Sequence, residues 1–263
     1  MTGTEASAAG GGAGKWPEPD VFEVERIVAG YPGIGLHSLS GSTTNRVSTY
    51  AQAQIIESLY YPKALACWGE SKTKAVVESI EILLQRDLTK PQFILCNPMR
   101  SRAGKNQEGE TSNRCKENAS RSEDRRCTVI EFDFAKERDG KATIWAGSIE
   151  RWESAGITAK DAMVRLLFHL LKAHHPKGLA LVCDSAGKSI HAWVNARSIE
   201  PDKLTLLERG AVGLGADWHA FLPWQYVRMP GGTRDNGNRQ EILYYNPDVL
   251  PQNEAGSGSE TEA

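Results

Sequence analysis

From Cys127 to Phe134 the chain reads CTVIEFDF, and Ile130, Phe132 and Phe134 alternate with Val129, Glu131 and Asp133. A two-residue period is that of a strand with one face on a core. A second alternation, SIHAWV at 189–194, follows the short apolar run LALVC at 179–183, with DSAGK between them. The glycine-bearing connection predicts a β-hairpin. PQFILCNP (91–98) and RQEILYY (239–245) are further strand candidates, and Asn236-Gly237 just before the latter favours a tight turn. Apolar residues at helical spacing predict helices over 73–85 and 158–175, the second opened by Thr158 and Asp161 in a capping arrangement. A third helix is expected from Pro201, a residue suited to a first helical turn. Helices interleaved with hairpin-linked strands predict an α+β fold, a mixed or antiparallel sheet with helices flanking it.

Composition sets the bounds. With 263 residues, 40% hydrophobic and 24% charged, the chain is long enough for a substantial core. The small, polar segments at 1–15 and 251–263 read as disordered tails around a folded part at 16–250. No apolar run reaches the roughly 18 residues of a membrane span and no secretory leader is recognisable, so a cytoplasmic protein without membrane contact is expected. Five cysteines, at 67, 96, 115, 127 and 183, include no Cys-x-x-Cys pair. That pattern argues against a disulfide framework or zinc knuckle, with Cys115, Cys127 and scattered histidines as the weaker zinc alternative.

The net charge of −2 argues against wholesale nucleic-acid coating but hides local excess. Residues 100–126 hold eight basic side chains against five acidic ones, and 225–240 hold Arg228, Arg234 and Arg239 against Asp235 alone. A solvated, arginine-rich turn gives the same counts.

Three groups of residues carry candidate chemistry. Gly187-Lys188-Ser189 has the ending of a Walker loop, but Val182 stands where the first glycine belongs and a strand follows where a helix is required. Burial of Ile130, Phe132 and Phe134 commits Glu131 and Asp133 to the other face, with α-carbons about 6.6 Å apart, near enough to share metal ions. A strand with a merely polar outer face shows the same pattern. His191 shares a face with Ser189, and an ordinary strand histidine is equally consistent with that placement. A third carboxylate, Asp217, precedes Arg228 in GADWHAFLPWQYVRMPGG.

VIEFDF, SAGKSIHAWV and GAD followed by QYVRMPGGTRDNGNRQEILYYNP resemble the three ordered motifs of the archaeo-eukaryotic primase superfamily. The likeness is to the primase-polymerases of bacterial mobile elements and phages in particular. Upstream, ALACWGES and LCNPM are also similar, so the resemblance spans roughly 16–250. Two positions depart from the family pattern: Glu131 replaces the more usual aspartate, and Ala186 stands where a second glycine is common.

The resemblance implies a palm-like sheet at 127–250 beside an N-terminal α/β lobe at 16–126. It implies that Glu131, Asp133 and Asp217 are catalytic and hold two Mg²⁺ or Mn²⁺ ions, hard cations suited to carboxylate oxygen. Ser189, His191 and Arg228 would bind a nucleoside triphosphate, and Lys188 is added for its charge and place in the loop. Arg114, Lys116, Arg234 and Arg239 would contact a single-stranded DNA template, with Trp218 or Trp224 available for base stacking or for the core. The expected activity is DNA-templated joining of nucleotides, as primase or primer-extending polymerase, with a separate helicase as partner. A non-catalytic replication initiator or nucleotide-binding module on the same fold is the alternative. A relaxase is disfavoured because His174 and His175 are adjacent rather than on alternate strand positions.

Overall fold

The computed structural model describes residues 15–250 apart from positions 62, 72, 122, 123 and 176, so both expected tails, save residue 15, lie outside the described residues. In chain order, α1 (Val21–Gly30), α2 (Leu36–Ser40) and α3 (Gln52–Leu59) precede β1 (Leu65–Gly69), β2 (Ala75–Ser79), α4 (Ile80–Leu84) and β3 (Phe93–Leu95). The small strands β4 (Gly104–Lys105) and β5 (Thr111–Ser112) lead to β6 (Cys127–Asp133) and the hairpin β7 (Glu137–Arg138) with β8 (Lys141–Ala142). Then come α5 (Ala146–Ser154), α6 (Ala159–His174), β9 (Leu179–Asp184), β10 (Ser189–Asn195), α7 (Pro201–Gly213), β11 (Tyr226–Arg228) and β12 (Ile242–Tyr245).

Two four-stranded sheets, both antiparallel, organise these elements. The first runs β11-β3-β1-β2 and the second β12-β9-β10-β6. This is the α+β, hairpin-rich class that the alternation predicts. The boundary expected at 126/127 falls where β6 begins, yet β11 returns from the carboxyl-terminal half to close the first sheet, and α1 packs against α6 in the other direction.

The expected helix over 73–85 is a strand followed by one short helix. Val76 and Val77 are β-branched, and Ala75–Ser79 pairs along its length with Leu65–Gly69, so a long-range partner overrides the helical spacing. Ser79 ends the strand and caps α4 through Ile82 N–H to its Oγ, 3.4 Å. α6 forms as predicted. Thr158 Oγ1 accepts from the Asp161 amide at 3.0 Å while Asp161 Oδ2 accepts from the Thr158 amide at 3.2 Å. The other Asp161 oxygen accepts from Leu36 N at 2.9 Å, which fixes α2 against the same helix start.

The second sheet is covered on both faces. Ile130, Phe132, Phe134, Ile190, Ala192 and Val194 meet the apolar sides of α1, α5, α6 and α7 in one core. Val129, Leu181, Cys183 and Trp193 meet Trp68, Ile94 and Val227 of the first sheet, with α3 and α4, in another. Large side chains so buried contribute about 1.5–3 kcal/mol each. No helix among the described residues is long and apolar enough to cross a membrane.

Candidate functional site

β6 and β10 pair with Asp133 opposite Ser189 and Glu131 opposite His191. Residues directly opposed in an antiparallel ladder share a face. All four therefore lie on the side toward the first sheet, at the end where Val129 and Trp193 give way to polar positions. His191 is 2% exposed and its Nε2 lies 3.4 Å from Glu131 Oε1, whose side chain keeps 21% exposure. Ser189 Oγ is 3.4 Å from both groups. The Arg228 amide approaches His191 Nδ1 at 3.5 Å, which makes that nitrogen an acceptor and places the imidazole proton on Nε2, facing Glu131. Burial pushes the Glu131 carboxyl up, but the His191 imidazole, the Arg228 charge and the Ser189 hydroxyl together bring it below the ordinary glutamate range.

Asp217 reaches this site through the main chain. Ala216 bridges to Phe132, and the Asp217 amide donates to the Glu131 carbonyl at 2.8 Å, so the third acidic position lies beside the first on the outer edge of β6. Gly215 makes the approach possible. It sits at φ +94°, and a Cβ there would come within 2.5 Å of the Trp145 ring.

Each carboxylate has its own local basic partner. Glu131 has His191, Asp133 Oδ2 meets Arg138 Nη2 at 2.8 Å, and Asp217 Oδ1 meets His219 Nδ1 at 2.8 Å. Among the described residues no three His, Cys, Asp or Glu side chains converge as a ready cation cage. The donor set, three carboxylates grouped at one sheet edge, still fits a hard divalent ion in chemistry, and ligation requires exchange of these partners.

The 185–188 loop forms the opposite wall. Ser185 N donates to Ser189 O at 3.1 Å, and the Ser189 amide donates to Ser185 Oγ at 3.2 Å. Asp184 accepts from the Ala186 amide at 2.7 Å and is held by Lys160 Nζ at 2.9 and 2.7 Å. Ala186 adopts φ +56°, the left-handed conformation that a glycine would take without strain. Lys188 is exposed, its Nζ 3.5 Å from the Glu137 carbonyl. Arg234 Nη1 lies against Gly187, where it leaves no room for a Cβ. Arg234 also lines a cleft of about 890 Å³ with Lys74, Lys90 and Gln92, whereas exposed Arg239 borders a smaller one of about 290 Å³ beside Lys160 and Asp184.

Arg228 lies across from Phe93 in the first sheet, with its guanidinium 4.7 Å from the centre of that ring. Apart from that ring, no side-chain hydrogen bond or ion pair is seen for the Arg228 guanidinium among the described residues, and its charge acts on Glu131 from a distance. Tyr226 is next on the same face, 5.8 Å from Phe93 between ring centres, and Arg114 covers it at 4.5 Å while donating to the Trp224 carbonyl at 3.0 Å. Lys116 is exposed in the same segment. The rest of the basic stretch is only partly available for ligands. Arg126 is 2% exposed and donates to the Ser58 and Leu59 carbonyls, and Arg125 pairs with Glu208 at 2.8 Å with both side chains 11% exposed. Those two arginines hold the chain together, so the basic count over 100–126 overstates the charge open to a ligand. Trp218 is half-buried and stacks on Trp16, which makes it part of the helical core.

Arg138, His219 and Phe93 had not been singled out from sequence. The signal for Arg138 is the Asp139-Gly140 turn, which begins five residues after VIEFDF ends, a hairpin dipeptide that presents a residue back toward the strand before it.

No family model and no curated protein matches the chain. Among solved structures, the AEP domain of the cyanophage S-2L primase-polymerase (PrimPol) is similar at a TM-score of 0.36 and 16% identity, over 76% of this chain and 97% of that one.

Proposed function

We propose that this protein is a template-directed nucleotidyltransferase that joins nucleotides on single-stranded DNA, as a primase or a primer-extending polymerase. The observation that supports it is the main-chain pairing that brings Asp217, from a distant segment, beside Glu131, with Asp133 and His191 on the same face of the β6–β10 ladder and the Arg228 charge near enough to lower the Glu131 carboxyl. Two Mg²⁺ or Mn²⁺ ions held by the three carboxylates would neutralise charge on the attacking and departing oxygens of phosphoryl transfer.

The chain's own residues bind and orient. Arg228 presents a charged fork to a triphosphate, and Ser189 and the loop amides donate to its oxygens from the opposite wall. His191, with Nδ1 held by the Arg228 amide, turns its Nε2 proton from Glu131 to a phosphate oxygen. Lys188 adds charge at the rim. Arg114, Lys116, Arg234 and Arg239 would contact the phosphodiester backbone of the template. Duplex unwinding is left to a separate helicase.

The test supplies single-stranded template, labelled nucleotides and Mg²⁺ or Mn²⁺. Wild type forms oligomers or extends a primer, and Asp133→Asn loses incorporation by about 10²–10³-fold while its unfolding midpoint is retained. Equal product from both removes Asp133 from the site. A second reading, a non-catalytic nucleotide-binding module, is favoured by the basic partner already on each carboxylate; triphosphate binding without any metal-dependent incorporation would select it.

A further inference from the structure

The β7–β8 arm packs no side chain of its own into a core: residues 137–142 are all exposed. It is nevertheless a defined hairpin. Asp139 and Gly140 turn it at φ 53° and 72°, and its base is closed by Thr143 N donating to Lys136 O at 2.9 Å and by the Lys136–Glu153 ion pair at 2.7 Å. Two inward contacts are seen among the described residues. Arg138 reaches Asp133, and the Glu137 carbonyl faces Lys188 of the 185–188 loop. The arm thus presents one guanidinium to one carboxylate.

We propose that Arg138 is a positioning residue that holds the Asp133 carboxylate in the cation-free protein and is exchanged for a divalent ion when one binds, an inference that rests on Asp133 being a cation ligand. An arginine cannot shed its proton, so its charge can leave Asp133 only by movement of the side chain. The pair is built for such movement. Arg138 is 64% exposed and Asp133 35%, so solvent screens their attraction, and an exposed pair of this kind is readily surrendered to an ion of double charge. The guanidinium on Oδ2 and a cation on the same carboxylate would be two positive charges competing for one negative charge, so occupancy by one opposes the other. Arg138 therefore keeps Asp133 oriented while lowering the site's affinity for a bare ion.

The experiment measures Mn²⁺ alone, without nucleotide or DNA, by the electron paramagnetic resonance signal of the free ion. It uses the full-length wild type, Arg138→Gln and the control Lys141→Gln. Lys141 lies opposite Arg138 in the same hairpin and removes an equal charge without touching a carboxylate. Arg138→Gln is expected to bind Mn²⁺ about two- to fivefold more tightly than Lys141→Gln, the range an exposed ion pair supports. In an Asp133→Asn background that gain should vanish, and the thermal midpoints of the two arginine and lysine variants should agree. Equal Mn²⁺ affinity in Arg138→Gln and Lys141→Gln, or weaker binding in the former, overturns the proposal while leaving the metal site standing. Absence of Mn²⁺ binding in every protein overturns the metal assignment and this proposal with it.

Discussion

The two ends of the β6–β10 ladder have the same backbone pairing and opposite chemistry. At one end Cys127, Val129 and Trp193 are sealed against the first sheet. At the other, two residues further along each strand, Glu131, Asp133, Ser189 and His191 occupy the same face. Burial acts upward on both the thiols and the carboxyl. At the sealed end it prevails, and Cys127 is pushed up to about 12 and the neighbouring Cys96 to about 11. At the open end nearby donors and positive charge outweigh it, and Glu131 stays ionised. The difference teaches that the sealed half provides rigidity against which the open half can hold groups that would otherwise repel or turn away.

That contrast can be broken from either side. The largest effect is expected from Trp193→Ala, which empties a fully buried position at the sealed end. A loss of about 3–5 kcal/mol should appear as a lower denaturant midpoint. At the open end, Asp133→Asn should reduce nucleotide incorporation by about 10²–10³-fold, with an unfolding midpoint close to that of wild type. Both ends affecting stability equally would erase the distinction.

A smaller effect concerns acidity. The Glu131 carboxyl lies below its ordinary value of 4.5 in the folded chain, so its contribution is complete above that value and fades as pH falls through the folded one. The stability difference between wild type and Glu131→Gln at pH 6 should therefore shrink as the solution is taken below about pH 4.5. A difference that is flat from pH 6 to pH 3 would show that the carboxylate gains nothing from its neighbours. The smallest change is expected for Ala186→Gly. Relief at a left-handed residue slightly exceeds the added freedom of the unfolded chain, for a net gain of about 0.5 kcal/mol, or roughly 1–2 °C in melting temperature. A lower melting temperature would mean that the loop is not strained.

Much of this was legible in the sequence because local signals agreed with tertiary demands. Alternation gave β6 and β10, Thr158 and Asp161 gave the start of α6, Pro201 gave α7, and Asn236-Gly237 gave the turn, with Gly237 at φ 82°. What escaped was set by partners far along the chain. β11 has only three residues and exists because β3 pairs with it; Val76 and Val77 are in a strand because β1 lies beside them. The basic count over 100–126 did not reveal that Arg125 would meet Glu208 or that Arg126 would cap α3, since neither partner is local. Within the site, the acidic residues and the histidine were readable as types at fixed spacing. Their present partners were not, because Arg138 and His219 become neighbours of carboxylates only through the turns that carry them.

β6 is the last strand of its sheet, and a bare outer margin of that kind invites pairing with another chain. At one extremity the Asn97 amide imitates a neighbouring strand, accepting from Cys127 N at 3.0 Å and donating to Cys127 O at 2.8 Å. At the other, the amide that Asp217 lends to the Glu131 carbonyl does the same. The segment bearing the third acid thus also shields the sheet from self-association, so a fragment truncated before α7 would expose a sticky flank as well as lose a ligand.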